Sequence, residues 1–118
     1  KLIKTIAEGF GVTATIEFSE PTKVLINDEH SVERVSKIAQ ELVGSAGYMK
    51  MENPIAGGED FASIVHEIPG AFVFLGACPE EIDHTTAPTN HSARAIFDDS
   101  VIPLGSALLA SLASSHLL

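Results

Sequence analysis

Five histidines make metal binding the first chemistry to weigh, because a neutral imidazole is the commonest protein ligand for a metal ion. None of the tight spacings of a closed zinc site occurs: there is no Cys-x-x-Cys and no His-x-x-x-His. His84 and His91 lie seven residues apart in one stretch between predicted elements. That spacing alone fits a ligand or an ordinary loop residue. His30, His66 and His116 fall on predicted helices, where a solvated or hydrogen-bonded side chain is the simpler reading. The other candidate is Gly57-Gly58-Glu59-Asp60. Two glycines let a backbone approach a ligand closely, and the free N–H groups of a helix that follows suit an anion such as a carboxylate. The competing reading is that Glu59 and Asp60 simply decorate a helix N-terminus, where acids are favoured.

These residues need elements to hold them. Leu2, Ile3, Ile6 and Phe10 recur at helical spacing, and Gly9 and Gly11 mark the end of that helix. No capping residue precedes Lys1, so the expectation is a helix whose start lies upstream. Val12 to Ser19 alternates apolar and polar, which predicts a half-buried strand ended by Pro21. Asp28 is a good N-cap for a helix striped by Val32, Val35, Ile38, Ala39, Leu42 and Val43, with Gly44 as its stop. Tyr48 to Glu52 is a candidate short strand. After the Gly57-Gly58 loop, Phe61, Ile64, Val65 and Ile68 predict a short helix turned inward. The uncharged run Ala71 to Gly76 predicts a strand buried on both faces. Cys78 to Ser92 is a long connection with two prolines, Pro79 and Pro88, a kind of loop that often carries function. The last helix, from about Ser100 to Leu117, has Asp98, Asp99 and Ser100 as possible caps and Pro103 in its first turn. Alanine and leucine cover most of its circumference, so it is expected to be packed into a core.

The 118 residues fit one domain rather than two full ones, and at 45% hydrophobic they are too apolar for a disordered tail. Lys+Arg is 7 and Asp+Glu is 16, giving a formal charge of −9. Such a surface argues against nucleic acid and anionic membranes as partners. No apolar stretch is long enough to span a bilayer. With one cysteine, Cys78, an internal disulfide is excluded. That and the lack of a signal-peptide pattern at Lys1 to Glu8 lead to the expectation of a cytoplasmic protein.

Several strings then come together in order. Gly-Gly-Glu-Asp-Phe (57–61) is followed by Pro-Gly-Ala-Phe-Val-Phe-Leu-Gly (69–76) and Asn-His-Ser-Ala-Arg (90–94). Phe97-Asp98-Asp99 and Ile102-Pro103-Leu104-Gly105 precede an Ala/Leu-rich tail. This resembles the C-terminal part of the metal-dependent amidohydrolases and metallopeptidases that include hippurate hydrolases, indoleacetyl-amino-acid hydrolases, N-acyl-amino-acid aminoacylases and carboxypeptidases. The resemblance implies an α/β fold, a layered sheet with flanking helices. Residues 1–20 would be the end of an α+β dimerisation (lid) domain, and 21–118 the C-terminal part of a catalytic domain.

The resemblance also implies a site. His91 matches a histidine that binds one of two divalent ions (Zn, Mn, Co or Ni). Gly57, Gly58 and Glu59 match a loop lining the substrate pocket. Asp60, Asn90 and Ser92 would support these residues from behind, and His84 matches nothing. In such enzymes the ions activate a water, a glutamate acts as general base and a histidine from a second subunit's lid steadies the oxyanion. No catalytic residue falls in this segment: the general base, the paired glutamates and the remaining ligands are expected upstream. Glu80-Glu81 is the only Glu-Glu pair and it lies in the wrong place. The expected partners are a small N-acyl amino acid or peptide substrate and a second copy joined through the lid, with the segment inactive alone. Two rival functions stay open: an assembly module that pairs through a Val12–Ser19 edge strand, and a small regulatory domain binding an anion at the helix after Gly58.

Overall fold

Four helices and a short 3-10 turn account for the regular structure among the described residues of the computed structural model, which are 1–19 and 22–117, the last two by backbone only. Glu20 and Pro21, at the expected domain boundary, and the His116 side chain thus lie outside the described residues. Helix α1 spans Leu2–Gly9 and ends where Gly11 turns to φ +70°. Helix α2 spans Glu29–Gly47. Its start is fixed by Asp28, whose Oδ2 accepts from both the backbone N–H and the hydroxyl of Ser31, each at 2.8 Å. Gly44 breaks its regularity at φ 71°, ψ 168°, a conformation open essentially to glycine alone. Beyond that break Tyr48 is tied back to α2 by a 2.6 Å hydrogen bond between its hydroxyl and that of Ser36. Helix α3 is a single turn, Ala62–Val65. The 3-10 turn Asp99–Val101 leads into α4, Ile102–Leu117, and Asp98 caps the entry by accepting from the Ser100 N–H at 2.9 Å.

The layered α/β sheet expected from the sequence is not formed: no strand occurs among the described residues. An alternating pattern says which side chains would share a face, but a strand exists only where a neighbour accepts and donates along its length. Among the described residues, the only backbone bond within Val12–Ser19 is Val12 N–H to the Ala7 carbonyl, which belongs to the end of α1. Ala14 and Ile16 are half-buried, yet Phe18, expected on the same inner face, is 91% exposed. Ala71–Gly76 likewise has no ladder, and neither has Tyr48–Glu52.

Packing is correspondingly thin. The radius of gyration is 20.3 Å, whereas a compact domain of this length would have about 13–14 Å. Helices α2 and α4 pack on each other, and only Val35, Ile38 and Ala62 are buried among the described hydrophobic residues. The short helix does not face inward as expected, since Ile64 and Ile68 are exposed. Nor is α4 enclosed all round: Leu109 is 70% exposed.

What holds the middle of the chain is a set of specific contacts. The Asn27 side-chain amide forks onto the backbone of Phe72, accepting from its N–H at 2.8 Å and donating to its carbonyl at 3.2 Å. Asp28 N–H donates to the Gly70 carbonyl at 2.9 Å, and His66 Nε2 lies 3.0 Å from the Val24 carbonyl. Phe61, Phe72 and Phe74 stack in series, with ring centroids 5.7 and 5.1 Å apart. Asp98 N–H reaches the Ala77 carbonyl at 2.9 Å, bringing the start of α4 beside the end of the apolar run.

Candidate functional site

His91 stands on a tight turn. The Ser92 N–H donates to the Thr89 carbonyl at 2.9 Å, so Asn90 and His91 occupy the two central positions. Ser92 then continues the bend: its hydroxyl accepts from the Arg94 N–H at 3.1 Å and its carbonyl from the Ala95 N–H at 3.1 Å. Asn90 and His91 are exposed and Ser92 is half-buried. The His91 imidazole has no hydrogen-bond or ion-pair partner among the described residues, so both ring nitrogens are open to an incoming group.

Upstream in the same connection, Asp83 organises its own turn. Its Oδ1 accepts from the Thr85 N–H at 2.9 Å and the Thr85 hydroxyl at 2.7 Å. Those hydrogen bonds, the hydroxyl first, hold the Asp83 carboxyl below its ordinary range. His84 sits between these two residues, exposed. The Asp-x-Thr pattern that makes this turn is visible in the sequence as a local side-chain-to-backbone motif.

The Gly57–Asp60 loop behaves differently from an open anion cradle. Glu59 is half-buried and its Oε1 accepts from the Phe61 N–H at 3.1 Å. One free N–H at the start of the one-turn α3 is therefore already taken by the chain's own carboxylate. Gly57 and Gly58 are exposed, and a Cβ at Gly57 would meet nothing within 4 Å. At Gly58 the nearest atom would be Thr22 Cγ2 at 3.8 Å. The positive-φ glycines among the described residues are Gly11 and Gly44. Neither local packing nor backbone conformation therefore demands glycine at 57 or 58. Asp60 is exposed, and its carbonyl accepts from the Ser63 N–H at 3.0 Å.

No group of three or more His, Cys, Asp or Glu side chains that could hold a metal ion occurs among the described residues. A catalytic zinc usually takes about three protein ligands, so these residues alone do not fit a dinuclear centre. His30 lies 3.9 Å from Glu33 on α2, and His66 is engaged with the Val24 carbonyl. Two shallow grooves run along α2, one beside Ser36, Lys37 and Lys50 and the other beside His30, Arg34 and Ser115; neither includes His91 or Glu59. No helix among the described residues is long and apolar enough to cross a membrane.

Against known proteins, the sequence matches Peptidase family M20/M25/M40 over residues 4–115. It is 29% identical to the IAA-amino acid hydrolase ILR1-like 6 of Arabidopsis thaliana over 112 residues, 92% of this chain and 24% of the relative. It is 27% identical to Thermostable carboxypeptidase 2 of Saccharolobus solfataricus over 114 residues, 96% of this chain and 28% of the relative. The chain thus spans about a quarter of the length of these relatives. No solved structure matches.

Proposed function

Since the chain belongs to Peptidase family M20/M25/M40, we propose that it is the C-terminal portion of a metal-dependent amidohydrolase that cleaves the amide bond of N-acyl amino acids or small peptides. The observation that carries this reading is the family match across residues 4–115, together with relatives named as an amino-acid-conjugate hydrolase and a carboxypeptidase. In this reading residues 1–20 close a lid domain through which two copies associate, and 21–118 belong to the catalytic domain. The setting is cytoplasmic, in keeping with a single cysteine.

His91 is the residue proposed to reach one of two divalent ions, whether Zn, Mn, Co or Ni. Its exposure at a turn tip and its lack of a partner support that role. The described residues do not complete a metal site, so the remaining ligands and the general base are assigned to other parts of the enzyme. Gly57 and Gly58 would leave room for substrate, a reading supported by the absence of any internal reason for glycine at either position. Glu59 holds the loop against α3 through the Phe61 N–H. Asn90 and Ser92 set the turn on which His91 stands, and Asp60 fixes the helix entry.

The test is made on the full-length protein that carries this segment. His91→Ala should lower bound metal, measured by elemental analysis, and remove hydrolysis of N-acyl amino acids. Unchanged metal content with full turnover would overturn the assignment. The 118-residue chain alone should show no turnover with added zinc, manganese or cobalt.

A further inference from the structure

Residues 22–28 form no helix or strand, yet they are fastened at four points to the stretch that follows α3. Lys23 Nζ lies 3.7 Å from a Glu67 carboxylate oxygen. The Val24 carbonyl lies 3.0 Å from His66 Nε2, and since a carbonyl can only accept, Nε2 carries the proton in this bond. The Asn27 amide forks onto Phe72, and the Asp28 N–H reaches the Gly70 carbonyl. Ahead of these anchors Thr22 lies against the glycine loop: its Cγ2 and Oγ1 would be 3.8 and 4.0 Å from a Cβ on Gly58. One short segment thus touches the loop before α3 at one end and is tied down beyond α3 along the rest of its length. Each of these contacts joins two parts of this chain, so none requires anything beyond it.

We propose that residues 22–28 are a strap that holds the loop of Gly57, Gly58 and Glu59 in place for substrate, with His66 as its positioning residue. The proposal rests on the pocket role given to that loop under the hydrolase reading. His66 is the residue that decides, because the near end of the strap has little else. Among the described residues, the bond to His66 is the one hydrogen bond made by residues 22–26. The Lys23–Glu67 pair is exposed on both sides, and such pairs contribute little and weaken with salt. Asn27 and Asp28 keep the far end fixed with or without His66. Losing the His66 bond therefore slackens the part of the strap next to Gly58. A looser loop must be ordered when substrate binds, which weakens ground-state and transition-state binding alike. The chemical step is spared, because the turn that carries His91 makes no hydrogen bond to the strap among the described residues.

The experiment uses the full-length protein that carries this segment, and reads steady-state hydrolysis of N-acyl amino acids together with hydrogen exchange. His66→Ala should raise KM by about two- to tenfold, the range one hydrogen bond spans, with kcat and bound metal unchanged. The amides of Phe61, Ala62 and Ser63, which bond to Glu59 and Asp60, should exchange faster. His66→Gln keeps an N–H donor on a side chain of similar reach and should restore both readings. Asp98→Ala, which uncaps the entry to α4 away from the strap, should lower the melting temperature without moving KM; a matching rise there would show a general loss of stability and overturn the proposal. Exchange at residues 61–63 that is unaltered in His66→Ala also overturns it. So does a KM that stays at the parental value, or a glutamine variant that behaves like alanine. A metal-loaded parent with no hydrolysis overturns the hydrolase reading instead, and the exchange result then decides the strap by itself.

Discussion

Replacing Gly105 by alanine should raise the melting temperature, although a first look at the contact suggests the opposite. Gly105 lies in α4, and a Cβ built there would sit 3.0 Å from Leu75 Cδ2. That is close enough to require movement. The atom in the way, however, is the tip of a leucine side chain that is 45% exposed. It can swing toward solvent, and even a distorted rotamer costs only about 0.5–1.5 kcal/mol. On the other side, alanine in place of glycine inside a helix gains about 0.5–1 kcal/mol, mainly by narrowing the unfolded ensemble. If Leu75 relaxes into another staggered rotamer, the helix term stands nearly whole at about 0.5–1 kcal/mol, or about 2–6 °C. Gly105→Val should go the other way, because its branched Cβ adds bulk at the same contact and loses rotamer freedom in the helix. The assay is thermal unfolding followed by circular dichroism. An alanine variant that melts below the parent would refute the reasoning. Adding Leu75→Ala would then show whether Leu75 is held more rigidly than its exposure implies.

Three other outcomes follow from particular contacts. Asn27→Ala removes both arms of the fork on Phe72 and should cost about 1–2 kcal/mol in urea unfolding. Asn27→Asp keeps an acceptor for the Phe72 N–H but sets a carboxylate against the Phe72 carbonyl, so it should not rescue; recovery of parental stability would show that the fork is not paired as described. Gly44→Ala forces a side chain into φ 71°, ψ 168° and should destabilise the end of α2 by about 1–3 kcal/mol, read as lost helical signal; an unchanged melting curve would contradict that backbone. Acid should loosen the helix entries. Hydrogen bonds from Ser31, its backbone N–H first, lower the Asp28 carboxyl below its ordinary 3.8. Those from Ser100, its side chain first, do the same for Asp98. A carboxyl lowered in the folded state contributes stability in full above its ordinary value and loses it as pH falls through the folded value. The parent should therefore lose helical signal on titration from about pH 4 downward. The Asp28→Asn/Asp98→Asn double variant, which keeps both acceptors without titrating, should show a shallower loss. Superimposable acid curves would rule out these caps as its source.

The elements set by neighbours along the chain were legible in the sequence, and those set by distant partners were not. Asp28 and Asp98 each cap through a residue two or three positions ahead, and Gly44 breaks α2 where the apolar stripe ends. Such features depend on a handful of adjacent residues, and sequence order alone brings those together. A sheet does not work that way. Val12–Ser19 and Ala71–Gly76 carry the residue types of strands, but the pairing that would make them so requires backbone groups from elsewhere, and no ladder forms among the described residues. The contacts that do fix the second of these runs come from Asn27, Asp28 and Asp98, and nothing in the period of the run announces them. The candidate site divides along the same line. His91 is singled out by the string around it and stands on a turn built from its own neighbours, whereas a metal centre needs several donors converging from distant positions. That convergence is absent among the described residues. The role of His91 is therefore decided by what else reaches its two free ring nitrogens, and metal analysis of the full-length protein addresses that directly.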